Sequence, residues 1–198
     1  MTAKSIAGTR RLTLCALMAA VACVLAPISI PIGPISVTGG TLAVYLTAYL
    51  LGGVWGTVST LVYLLVGMAG LPVFSGYMGG VSRLAGPTGG YLVGYIPMAL
   101  LAGTMIRWSA HRFDGKGRLG AVLTLAVQFA GTAAATAVLY AFGTAWYCVQ
   151  AGVDLQKALA ACVIPFIPFD LVKMAVALTV GRPVRRRLER AGLLDTFS

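Results

Sequence analysis

Long apolar runs with very little charge constrain this chain more than any other feature. A helix that crosses a bilayer needs about 20 consecutive apolar residues, and several such runs follow one another along the 198 residues. Hydrophobic residues make up 59% of the chain and charged residues 10%, whereas a soluble domain carries about 25% charged residues. The sequence therefore predicts an all-α integral membrane protein with a single transmembrane domain, 1–198.

Six transmembrane helices are expected. Their approximate bounds are 12–30, 39–54, 57–71, 91–108, 119–142 and 159–180, with a basic tail at 182–198. The boundaries of the second and third spans are loosely defined, because only the segment Gly52-Gly-Val-Trp-Gly56 separates them. Segment 72–90, between spans three and four, is rich in glycine and proline, which favours irregular backbone.

The distribution of charge supports the even number of spans. Of the 15 Lys and Arg residues, all but Arg83, Lys157 and Lys173 lie before the first span, in loop 107–118 or in the tail. Basic residues beside membrane spans face the cytoplasm, and six spans place both termini and this loop there. The Gly-rich loop is then extracellular, in a multi-pass protein of the bacterial cytoplasmic membrane. The basic clusters also suit anionic lipids, so the net charge of +10 does not indicate nucleic acid.

No motif for catalysis or for metal binding is found. The chain lacks a GxxxxGK[ST] phosphate loop and paired metal-binding histidines, and only five residues are acidic. The predicted topology places Ser75 outside and His111 in the cytoplasmic loop, so they cannot form a nucleophile–base pair. We therefore expect no enzymatic activity, no cofactor and no metal.

Asp170 and Lys173 are charged residues inside the last apolar run. Each costs about 2.5–3.5 kcal/mol in hydrocarbon, and the spacing of three places both on roughly one helix face. One interpretation is an ion pair that only stabilises packing. The other is a cavity in which Asp170 accepts N–H groups and Lys173 donates to a carbonyl or carboxylate, which suits a cyclic urea, a lactam or an amino acid.

Two further features have both a structural and a functional interpretation. The Gly-rich loop is either a surface loop or a wall of a binding cavity, with Arg83 as its only charge. In the first helix, Ala16 and Ala20 begin a stripe of small residues that favours close helix contact. On these residues alone, packing within the chain is favoured over docking of a partner.

Several separated motifs in order resemble one known family over nearly the whole chain. They are Pro31-Ile-Gly-Pro-Ile35, Gly70-Leu-Pro-Val-Phe74, Gly86-Pro-Thr-Gly-Gly-Tyr-Leu92, Gly143-Thr-Ala-Trp146 and Pro165-Phe-Ile-Pro-Phe-Asp-Leu-Val-Lys173. The sequence resembles the BioY family, the biotin-specific substrate-binding (S) components of energy-coupling factor (ECF) transporters. The resemblance implies a six-helix fold that binds biotin near the outer face and takes part in ATP-driven vitamin uptake.

The resemblance also implies roles for particular residues. Asp170 and Lys173 are expected to bind the ureido ring, and Arg83 the carboxylate. Because the chain contains no Asn, Ser82, Ser75 or Thr88 is expected to supply an additional polar group. Tyr91 and Phe74 complete the expected substrate-binding set.

Ala16 and Ala20 match the stripe with which S components dock on the ECF transmembrane coupling protein, which joins them to two ATPase subunits. Two alternatives stay open at this point. One is an S component for another vitamin, such as riboflavin or thiamine, and the other is a structural membrane protein with a packing ion pair.

Overall fold

The computed structural model describes residues 3–32, 35–113 and 116–194, with side chains from Gly8 onward. Within these ranges the chain forms seven helices and one two-stranded sheet. The elements in order are α1 (Ala3–Leu25), β1 (Ser29–Pro31), β2 (Ser36–Thr38), α2 (Gly40–Met68), α3 (Ser82–Ala85), α4 (Gly89–Phe113), α5 (Gly117–Ala151), α6 (Leu155–Cys162) and α7 (Ile167–Arg190).

The long helices have the length and hydropathy of membrane spans. Four pass on both criteria, namely α1 from Gly8 to Leu25, α2, α4 and α5. The pair α6 and α7, bent by 48° at a short break, is a fifth candidate. The chain is therefore a multi-pass membrane protein.

Helix α2 turns back on itself at Gly52. This residue has φ 78° and ψ −167°, a backbone conformation that is essentially restricted to glycine. A Cβ atom added to Gly56 would lie 3.6 Å from Ala48 Cα, although eight residues of straight helix rise about 12 Å. Segments 40–51 and 53–68 are therefore separate helical arms, and they meet where the sequence separates the second and third predicted spans.

Three predicted spans differ from the helices observed, the fifth because α5 continues past its expected end at residue 142 to Ala151. The first was expected to continue to residue 30, but α1 ends at Leu25 and residues 29–31 pair antiparallel with residues 36–38. This small hairpin was not predicted, and its connecting residues Gly33 and Pro34 lie outside the described residues. The last span, expected at 159–180, is divided between α6 and α7, and α7 continues to Arg190.

Glycines allow α4 to pack closely between its neighbours. A Cβ atom on Gly94 would lie 2.9 Å from Leu139 Cδ1 of α5, and one on Gly90 would lie 2.8 Å from the Phe142 carbonyl oxygen. Further along α4, a Cβ atom on Gly103 would collide with the backbone of Gly52 and Gly53. The GxxxG spacing of residues 90 and 94 thus brings helices together as small residues do in membranes.

The C-terminal half of α7 is attached to the first arm of α2 by Arg185. Its guanidinium donates to the carbonyl oxygen of Leu50 and forms an ion pair of 2.7 Å with Glu189. The last carbonyls of a helix have no partner within the helix, and Gly52 ends the arm just after Leu50. Arg185, which is 7% exposed, therefore satisfies a helix end inside the bundle.

Candidate functional site

A cavity of about 380 Å³ opens among α2, α4, α5, α7, the β-hairpin and the Gly-rich loop. Both Thr41 and Tyr63 line it, because the reversal at Gly52 brings the two ends of α2 to the same side of the bundle. Small-molecule sites in proteins measure about 300–1,000 Å³. The cavity is thus large enough for a compact ligand.

Asp170 and Lys173 form an ion pair at the wall of this cavity. Lys173 Nζ lies 3.0 Å from Asp170 Oδ1, and the side chains are 15% and 3% exposed, respectively. Both residues line the cavity. The two interpretations that the sequence left open are therefore compatible, since the residues pair with each other and also face a space for a ligand.

Neutral oxygen atoms complete the surroundings of the pair. Asp170 Oδ1 accepts a hydrogen bond of 3.0 Å from Thr41 Oγ1, and Oδ2 accepts one of 2.6 Å from the Tyr140 hydroxyl. Lys173 Nζ donates to the Thr38 carbonyl at 2.8 Å and to Thr41 Oγ1 at 2.9 Å. The hydroxyl of Thr41 thus bridges the two charges, donating to the carboxylate and accepting from the ammonium.

The hydrogen bonds of each charged group show how many donors or acceptors remain for a ligand. An ammonium has three donors, and those of Lys173 go to Thr38, Thr41 and Asp170. A carboxylate has about four lone-pair sites, of which Asp170 uses three. Asp170 can therefore accept one more N–H directly, whereas Lys173 must exchange a partner to bind a ligand oxygen.

The start of α7 explains how Asp170 reaches the cavity. The helix begins at Ile167, with proline in its first turn, and Asp170 lies in that same turn. Proline is favoured there because its missing N–H would have no helical partner. A carboxylate near a helix N-terminus is also stabilised by the helix dipole. The break before α7 thus brings Asp170 to a helix end at the cavity.

Most of the other residues expected to bind substrate also line the cavity. These are Arg83 of α3, Tyr91 of α4 and Phe74 of the Gly-rich loop, together with Ser75 and Thr88. The Tyr91 hydroxyl donates to the Cys162 carbonyl at 3.2 Å. Ser82 is exposed and is not part of the lining.

The Gly-rich loop forms one wall of the cavity. Phe74 and Met78 form an antiparallel bridge, and the Gly76 N–H donates to the Pro27 carbonyl at 3.1 Å. Phe74, Gly76 and Met78 all line the cavity. Of the two interpretations of this loop, the structure supports a wall of the cavity rather than a loop apart from it.

Three partners of the charged pair were not predicted from the sequence: Thr38, Thr41 and Tyr140. They are uncharged, and Thr41 precedes Asp170 by 129 residues, so no local spacing connects them. One signal was available in principle. Buried charges require hydrogen-bond partners, and hydroxyl residues at span ends are natural candidates.

Ala16 and Ala20 are exposed on α1, whereas Ala19, Ala22 and Ala26 are buried against the rest of the chain. Packing within the chain, the interpretation favoured on sequence alone, therefore does not involve the first two alanines. Their face of α1 is open to lipid or to another protein.

Comparison with known proteins gives consistent results. The family model described as "BioY family" matches residues 1–190. A protein of Rhizobium etli named biotin transporter BioY is 37% identical over 180 residues, covering 89% of this chain and 94% of its own. A protein of Thermotoga maritima with the same name is 35% identical over 160 residues, covering 80% and 86%.

A solved structure shares the fold. The crystal structure at 2.1 Å of the S-component for biotin from an ECF-type ABC transporter superimposes with a TM-score of 0.76. The match covers 94% of this chain and 95% of that one, at 24% sequence identity.

Proposed function

Because this chain belongs to the BioY family, we propose that it captures biotin as the substrate-binding subunit of an ATP-driven ECF-type importer. Family membership confirms the resemblance seen in the sequence. The names of the relatives and of the structural neighbour support transport rather than catalysis. Within the chain, the observation that carries the proposal is the hydrogen-bonded Asp170–Lys173 pair at the wall of the cavity.

The ureido ring of biotin matches the hydrogen-bonding capacity of this pair. The ring presents two N–H donors and one carbonyl acceptor. One N–H bonds the remaining lone pair of Asp170, and the carbonyl takes a Lys173 donor in exchange for a hydroxyl or carbonyl of the protein. Arg83 binds the carboxylate of biotin, while Tyr91 and Phe74 cover the apolar part of the ligand. Ser82 is left out of this set because it does not line the cavity.

We propose six membrane spans for this fold, with both termini in the cytoplasm and the Gly-rich loop outside. The reversal at Gly52 supports two spans within α2, which added to α1, α4, α5 and the pair α6–α7 makes six. Basic clusters flank the ends of these spans on one side, as in proteins of the bacterial cytoplasmic membrane. The cavity then opens toward the outer face, where biotin arrives.

The partners proposed are the ECF transmembrane coupling protein and two ATPase subunits, with anionic lipids around the basic cytoplasmic face and no nucleic acid. The exposed Ala16 and Ala20 supply a smooth helix face for the coupling protein. ATP hydrolysis by the two ATPase subunits then drives transport, and this chain needs neither a cofactor nor a metal.

Isothermal titration of biotin into the purified, biotin-stripped protein tests the proposal. The variant Asp170→Ala removes a buried, hydrogen-bonded charge, a loss that costs about 2–5 kcal/mol in binding. The matched control is Asp154→Ala, which breaks an ion pair of the same i,i+3 spacing between Asp154 and Lys157, at 3.9 Å and largely exposed.

A tight one-to-one isotherm in the wild type and in Asp154→Ala, abolished or weakened by at least about thirtyfold in Asp170→Ala, is the expected result. Excess riboflavin and thiamine are expected to leave the isotherm unchanged. A flat trace from folded wild-type protein would remove biotin as the ligand, and equal binding by the two variants would remove Asp170 from the site.

A further inference from the structure

The cytoplasmic end of α7 carries a second concave site, about 210 Å³ in volume. Its lining consists of four arginines and one proline: Arg182, Pro183, Arg186, Arg187 and Arg190. The fifth arginine of this segment, Arg185, points the other way and bonds the end of the first arm of α2. The site therefore concentrates positive charge on the outer face of the helix.

The same face of α7 is apolar at its other end. Val172 is 64% exposed and Val176 is 40% exposed. Arg190 follows Val172 by 18 residues and Arg187 follows Val176 by 11, which are about five and three turns. The valines and the arginines thus project in nearly the same direction, and the packed face of α7 lies opposite, with Met174 and Ala177 among its buried residues.

The arginines of the concave site extend beyond the last turn of α7. The helix dipole favours positive charge within the last turn, which includes Arg187 and Arg190, whereas Arg182 and Arg186 precede it. Glu189 lies 2.7 Å from Arg185, on the inner face of the helix.

On the membrane topology proposed above, on which this inference rests, we propose that this site binds the phosphate headgroup of an anionic phospholipid whose acyl chains lie along the apolar face of α7. Arginine suits phosphate because its planar guanidinium donates two parallel hydrogen bonds. An anionic headgroup at the end of a membrane-spanning helix also meets the arginines at the membrane surface, where polybasic segments are attracted. Because the site combines the apolar face of α7 with its basic end, it binds a phospholipid in preference to a soluble anion.

The test is a native mass spectrometry titration of the full-length protein in detergent. The probes are dioleoylphosphatidylglycerol, dioleoylphosphatidylcholine with the same acyl chains, and inorganic phosphate as competitor. The wild type is expected to bind the anionic lipid at least tenfold more tightly than the zwitterionic one. The triple variant Arg186→Gln, Arg187→Gln, Arg190→Gln removes three of the four arginines that line the site and is therefore expected to lose this preference.

The matched control removes three charges from the basic residues around loop 107–118, which are also exposed. It is the triple variant Arg112→Gln, Lys116→Gln, Arg118→Gln. This variant is expected to retain the lipid preference, and melting temperatures check that both triples fold. No preference in the wild type, an equal loss in both triples, or displacement of the lipid by equimolar inorganic phosphate would each overturn the proposal. The wild-type comparison of the two lipids needs no variant at all.

Discussion

A methyl group added at Gly103 is expected to destabilise the bundle without weakening the ligand site. Gly103 lies where α4 crosses the reversal of α2, and a Cβ atom there would approach the carbonyl oxygen of Gly52 to 2.6 Å and its carbonyl carbon still more closely. Carbon atoms pack best at about 3.5–4.0 Å. Because the atoms in the way belong to the backbone, no side chain can rotate aside, and α4 must move by about 1 Å.

The expected cost follows from this geometry. Overpacking of a well-packed core typically costs about 1–3 kcal/mol, and the better helix propensity of Ala returns up to about 1 kcal/mol. We therefore expect Gly103→Ala to lower the free energy of unfolding by about 1–2 kcal/mol. Biotin affinity should change little, since Gly103 lies 12 residues, or about 18 Å along α4, from Tyr91.

Denaturant unfolding in detergent, followed by near-UV circular dichroism, measures the loss of stability. Isothermal titration measures the affinity for biotin. The control is Gly8→Ala, because a Cβ atom on Gly8 meets nothing within 4 Å. That variant should be as stable as the wild type or slightly more stable. Equal stability of Gly103→Ala and Gly8→Ala would refute the close crossing of α4 and the reversal of α2.

Three other experiments test separate parts of the molecule. Lys173→Met leaves Asp170 buried without its ion-pair partner and should lower the free energy of unfolding by about 3 kcal/mol. Adding Asp170→Asn should restore most of that stability but not biotin binding, which thermal unfolding and isothermal titration measure. Arg185→Met should lower the melting temperature, since the carbonyl and carboxylate that it bonds lose a partner, and a melting temperature equal to that of wild type would contradict this role. Ala16→Leu with Ala20→Leu should leave biotin affinity unchanged but abolish uptake by the assembled transporter, a result that unchanged uptake would contradict.

The parts of the fold that depend on long-range patterns of hydropathy were accessible from sequence. The apolar runs identified α4 and α5, and the glycines at 52–56 marked the position at which the structure shows the reversal of α2. The pairing of residues 29–31 with 36–38 was not accessible, because strands of three residues, one of them ending in proline, carry no period-two signal. The division of the last span was only partly predictable, since Pro165 and Pro168 indicate a break in the helix but not the angle of the bend.

The candidate site was likewise only partly predictable from the sequence. Asp170 and Lys173 stood out because charges are costly in an apolar run, and the structure places both at the cavity. Their neutral partners Thr41 and Tyr140 did not stand out, because threonine and tyrosine are common in spans and lie far from Asp170 along the chain. Ser82 was included for its hydroxyl group alone, and the local turn of α3 leaves it exposed.

The hydrogen bonds that hold α7 at Lys173 and at Arg185 restrict insertions and deletions between these two residues. Lys173 reaches the Thr38 carbonyl at one end of α7, and Arg185, 12 residues later, reaches the Leu50 carbonyl near the other. Deleting or inserting one residue between them would turn one attachment by about 100° around the helix axis, away from its acceptor and toward the lipid. Outward positions in this interval, such as Val176, can therefore change among apolar residues, while the number of residues between Lys173 and Arg185 stays fixed.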